Sequence, residues 1–96
     1  MTSSYEQSIE LLNATHSFPT RVLVKVIGVN DPDLVVRVVA AIRMELAANE
    51  DPPFSTRHTP SGRHVAISLE PHFETAEQVL AVYARVRKIE GIVLLM

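Results

Sequence analysis

The chain has 96 residues, 47% of them apolar and 21% charged, with a formal net charge of −2 and no cysteine. That is one domain, with material for one modest core. Near-neutral charge gives no reason to expect nucleic acid or an anionic membrane as partner, and the missing thiols exclude disulfides, thiolate catalysis and cysteine-ligated zinc.

Residues 1–20 read as a lead-in to a domain over 21–96. Met1 to Glu10 has no basic residue ahead of an apolar run, so no signal peptide is predicted. No apolar run approaches a bilayer span, and the cytoplasm is the expected compartment. Ser4 is placed to cap a short helix carrying Tyr5, Ile9 and Leu12 at helical spacing. Such a helix is marginal unless it packs on the body, so a frayed terminus is the alternative.

Arg21 to Val29 reads as the first strand, rich in Val and Ile. Val22, Val24 and Val26 share one face, and Leu23, Lys25 and Ile27 the other. A strand apolar on both sides is usually central in its sheet. Gly28 permits a bend or a close backbone approach. Asp31-Pro32 is a helix start, with Asp33 favourable in the first turn. This helix is predicted to run to about Ala48, burying Val35, Val38, Val39, Ile42 and Leu46, with Asp33 and Arg37 as a surface pair. Pro52-Pro53 is the predicted stop.

Phe54 to Thr59 is polar and short, as an edge strand tends to be. Pro60-Ser61-Gly62 turns the chain, and Arg63 to Glu70 returns with Val65, Ile67 and Leu69 on one face and His64, Ala66, Ser68 and Glu70 on the other. Thr75 to Gln78 matches a capping box. A second helix follows to about Ile89, burying Val79, Val82, Tyr83, Val86 and Ile89. Gly91 is placed as its cap, and Gly91 to Met96 is an apolar last strand. Strand, helix, strand, strand, helix, strand is the split βαβ order. The predicted class is therefore α+β, a ferredoxin-like βαββαβ sandwich. Its four-stranded antiparallel sheet has the order 4-1-3-2, with both helices on one face.

Several segments together resemble a known family. Phe18-Pro19-Thr20 and Lys25-Val26-Ile27-Gly28 are similar to the Phe-Pro-Thr and Lys-Val-Met-Gly signatures of the YbeD-like family, small bacterial proteins of unassigned role. Leu11-Leu12 sits where that family has a Leu-rich lead-in. Ser61 to Ser68 resembles its Ser-rich hairpin, with His64 in place of the usual Tyr and Ala66 in place of the usual Ser. Glu77-Gln78-Val79, Lys88-Ile89-Glu90 and the Val-Leu-Leu-Met ending are also similar. The likeness spans about residues 11 to 96. It implies an ACT-like ferredoxin fold and no known activity. ACT domains that bind amino acids carry Asp-x-Pro-Gly-x-Leu at the first turn. Here Asp33 replaces that Gly, and its carboxylate would repel an amino acid's own.

Chemical constellations are sparse. His58 and His64 flank the hairpin turn and would face each other across a three-residue loop, but a structural zinc site needs four ligands and no motif supplies them. Glu70, Glu74 and Glu77 cluster near the second helix start, where acidic residues are favoured by the helix dipole. Acylphosphatases share this fold, but the loop Gly28 to Asp33 has no basic residue and two acids, a poor phosphate cradle. RNA-binding domains of this fold stack bases on strand aromatics, which Leu23, Lys25, Ile27, His64, Ala66 and Ser68 do not offer.

No metal, cofactor or catalytic set is therefore predicted, and the chain reads as a non-enzyme. The open sheet face, with Leu23, Lys25, Ile27, His64, Ala66 and Ser68 joined by alternate residues of the last strand, is the candidate interaction surface. A protein partner or self-association is the expected mode. Whether the lead-in residues Tyr5, Ile9 and Leu12 cover this face is open. The alternative function is a small-molecule effector site at the first turn, with Gly28, Asn30, Asp31 and Leu34.

Overall fold

The computed structural model describes residues 3–96, so the first two positions of the predicted lead-in lie outside the described residues. It is an α+β protein with three helices and two antiparallel sheets. The elements are α1 (Ser4–Thr15), β1 (Thr20–Arg21), β2 (Val24–Val29), α2 (Pro32–Glu45), β3 (Phe54–His58), β4 (His64–Leu69), β5 (His72–Phe73), α3 (Ala76–Arg87) and β6 (Ile92–Leu95). The main sheet reads β3-β4-β2-β6 across, and β1 pairs with β5 in a small second sheet.

Alternation along β2 and β4 sorts the core. Val24, Val26, Val65, Ile67 and Leu69 are buried on one face of the main sheet. Leu34, Val38, Val39 and Ile42 of α2 and Ala76, Val79, Val82 and Val86 of α3 are buried as well. The strand and helix side chains form one cluster, closed by Val22 and Phe73. Each fully buried Val, Leu or Ile contributes about 1.5–3 kcal/mol over its exposed state, so this cluster carries most of the folding drive. Among the described residues no polar or charged residue is buried.

Several predicted boundaries need correction. The predicted first strand is broken at Val22-Leu23. Its first residue, Arg21, leaves the main sheet together with the preceding Thr20 to pair with His72 and Phe73, and Val22 N–H donates to the Pro71 carbonyl at 3.2 Å. The lead-in helix forms, but Ser3 caps it, not Ser4: its Oγ accepts from Glu6 N at 3.1 Å. Leu34, left off the predicted α2 stripe, is fully buried, whereas Val35 and Leu46 only border the core. Arg37 reaches Asp31 at 4.0 Å and the Glu90 carbonyl at 3.2 Å, in place of Asp33.

Helix α2 ends at Glu45, well ahead of Pro52-Pro53. Ala47 takes a left-handed conformation, φ 50°, and Ala48 N–H donates to the Arg43 carbonyl at 3.0 Å. This is the six-to-one bond of a Schellman cap, with alanine where glycine is preferred. The prolines are not the cause of the stop. At the other end of the sandwich, Gly91 stands clear of α3, whose cap residue is Lys88; its φ of 100° turns the chain into β6.

Ala47→Gly should stabilise the protein by about 1 kcal/mol, because a Cβ in the left-handed region costs that much. Urea unfolding with an unchanged slope is the check.

Candidate functional site

The face of the main sheet opposite the core carries exposed or half-buried side chains, Lys25, Ile27, Ala66 and Ser68 among them. Helix α1 packs against α3, on the helix side of the molecule. Tyr5 lines a cleft with Leu80, Tyr83 and Arg87 there, and Leu12 borders the core. Tyr83 is half-buried in this region, and burial pushes its phenol pKa up. The lead-in therefore does not cover the open face.

Register places the open-face side chains in rows. Lys25 lies opposite Ser68, and Ser68 opposite Ser55. In the next row Leu94, Ile27, Ala66 and Arg57 lie side by side across four strands. Apart from Leu94, the residues of these rows line a shallow depression of about 550 Å³, together with Thr59 and Met96. The depression has a simple cause: Ala66, Ser68 and Ser55 are small, and the longer Lys25, Ile27 and Arg57 stand around them. From strand spacing and rise, the Cα atoms of Lys25 and Arg57 are about 12 Å apart on a diagonal.

A β-bulge shapes the last strand. Ile27 pairs with Leu94 but Gly28 with Ile92, so Val93 is the extra residue. Simple alternation from Ile92 to Met96 would put Ile92, Leu94 and Met96 on one face. The bulge breaks it. Ile92 and Leu95 pack against the core, while Leu94 and Met96 are 46% and 52% exposed.

Of the predicted interaction residues, Lys25, Ile27, Ala66 and Ser68 line the depression together. Leu23 is exposed one step along from Lys25, and His64 is half-buried opposite Val29. His58 and His64 do not face each other, because His58 pairs with Val65 and so lies on the other face. Sequence reasoning did not assign Arg57, Ser55 or Thr59 to the face. The signal was present: pairing a second strand to His64–Leu69 fixes which of its alternate residues share that face.

The predicted ligand turn divides. Gly28 is fully packed. A Cβ there would collide with Leu34 Cδ2 and stand 2.7 Å from the Gly91 carbonyl oxygen. Leu34 is fully buried. The Asp31 carboxylate caps α2, accepting from Asp33 N at 3.0 Å, and Asn30 Nδ2 donates to the Gly62 carbonyl at 2.8 Å. The space a ligand would need beside Gly28 is filled by the protein's own side chain. Asn30 and Asp31 border a separate shallow groove with Val36 and Phe54.

Charge in the depression is one-sided. Lys25 and Arg57 line it and no Asp or Glu does. The ion pairs of the described residues, Arg37–Asp31, Arg43–Asp51, His72–Glu74 and Arg85–Glu45, involve neither. No group of three or more His, Asp or Glu among the described residues is placed to hold a metal. No described helix is long and apolar enough to cross a membrane.

Fold and site together define a small α+β domain with one exposed sheet face, apolar along β6 and basic toward β3. A family model described as a protein of unknown function, DUF493, matches residues 13–96, and the chain belongs to that family. No curated protein matches it.

Three substitutions check this assignment. Gly28→Ala should cost about 1–3 kcal/mol in urea unfolding, the usual scale for overpacking a filled core. Ala66→Leu, filling the depression, should change stability by less than about 1 kcal/mol, while Ile67→Ala on the other face should cost about 2–5 kcal/mol.

Proposed function

We propose that the chain is a small, non-catalytic interaction domain of ferredoxin-like, ACT-like architecture, akin to the YbeD-like proteins, that works in the cytoplasm. It acts by docking a protein partner, or a second copy of itself, on the open face of its main sheet or along the free edge of β6. The observation that carries this reading is the uncovered face. Ile27, Leu94 and Met96 lie next to one another on it, while α1, the element free to hide them, sits on α3. Apolar side chains grouped on a sheet face mark interaction surfaces more often than scattered ones do. The unpaired edge of β6 adds backbone groups ready to receive another strand.

The absence of cysteine from the sequence fits a reducing compartment. The sequence carries no recognisable nucleophile–base motif, which supports a regulatory role exerted by docking without chemistry. The alternative reading, a metabolite sensor at the first strand–helix turn, loses its main support, because Leu34 and Gly91 occupy the space beside Gly28.

A photoactivatable phenylalanine analogue placed at Ser55 or Leu94 in the native host should crosslink a discrete partner. The same analogue at Val36 or Leu11, exposed on the helix side, should not. Sedimentation of the purified chain over a concentration range then tells a second copy from another protein. Equal crosslinking from both sides, or none from the sheet face, overturns the reading.

A further inference from the structure

We infer that the occupant of the open face is an extended acidic segment of another protein, with two carboxylates flanking one apolar side chain. The inference rests on the docking reading above and specifies the partner's chemistry. Three observations carry it. First, the depression is lined by two cationic side chains, Lys25 and Arg57, and by no Asp or Glu, although the sequence has 11 acidic residues against 9 basic ones. Acidic side chains are thus absent from this lining in a chain that is acidic overall. Second, neither cation is used in an ion pair of the described residues, so both are available to a partner. Third, between the cations the floor is made of Ala66, Ser68 and Ser55, small enough to admit a partner's backbone and one apolar side chain beside Ile27.

The geometry sets the spacing. In an extended chain, residues i, i+2 and i+4 point the same way, and i to i+4 spans about 13 Å. That matches the diagonal of about 12 Å from Lys25 to Arg57, estimated from the same spacings. An acidic–x–apolar–x–acidic segment crossing the strands obliquely therefore puts one carboxylate at each cation and its apolar residue over Ala66. The Ser55 and Ser68 hydroxyls lie close by as donors to its carbonyls. A second copy fits poorly. A two-fold pairing of this face with itself sets one cation-lined depression against another, and like charges across an interface are unfavourable.

The test uses the full chain and an acetylated, amidated peptide Glu-Ser-Leu-Ser-Glu, followed by amide chemical shifts and fluorescence anisotropy. Shifts should cluster on Lys25, Ile27, Arg57, Ala66 and Ser68, and binding should weaken with salt. The double reversal Lys25→Glu/Arg57→Glu, at exposed sites, should weaken binding at least about tenfold while leaving thermal unfolding in place. The peptide Lys-Ser-Leu-Ser-Lys should not bind. If it binds the same residues equally well, docking on the face stands and the acidic partner falls. Shifts elsewhere, no shifts, or binding only to phosphatidylserine vesicles or a single-stranded oligonucleotide also overturn the inference. The crosslinking experiment decides the docking reading independently.

Discussion

The structure depends on one close approach. Gly28, near the end of β2, leaves room for Leu34 of α2 on one side and the Gly91 carbonyl ahead of β6 on the other. Val29 N–H also donates to that carbonyl at 2.9 Å. Three elements from distant parts of the chain therefore meet around a residue without a side chain. The contact draws α2 onto the sheet and fixes the point at which β6 joins it. Interiors are packed too densely to absorb an extra methyl group here without displacement.

This junction explains why the two sides of the sheet differ so sharply. On one side, α2 and α3 seal an apolar core, mainly Val, Leu and Ile, and among the described residues no polar or charged residue is buried. On the other, the same strands present a shallow, wet surface whose floor is made of small residues. The junction and the surface are independent in chemistry but not in position. Ile27 immediately precedes Gly28, so the register that buries the glycine also aims Ile27 outward beside Leu94.

Much of this was legible in the residues. The alternation of Val65, Ile67 and Leu69 identified β4 and its inward face. Asp31-Pro32 and Thr75 marked the starts of α2 and α3, because capping chemistry is local. Lys25, Ile27, Ala66 and Ser68 were read as one face from period-two spacing alone. What escaped was whatever depends on partners far along the chain. Nothing local says that Thr20-Arg21 leaves the main sheet for His72-Phe73. Nothing local says that α2 ends on a left-handed alanine, a conformation that composition would assign to glycine. The turn residues Gly28 and Leu34 looked like candidates for a ligand because a glycine signals close approach without saying to what. The answer, a leucine of the same chain, is tertiary. Arg57 was missed because its face is set by pairing, not by its own strand, which is exposed throughout.

The bulge at Val93 has a consequence for how segments of this kind vary. With five residues from Ile92 to Met96, strict alternation would give Leu95 to the solvent side and Leu94 to the core. The one extra residue swaps their sides relative to Ile92. Spacing, more than composition, thus decides which apolar groups this terminal segment shows to the outside. In related chains, a single insertion or deletion between Gly91 and Met96 would re-address the surface while leaving the amino-acid content of the strand almost unchanged. Length in that short segment is accordingly a more informative trait to compare than identity at any one of its positions.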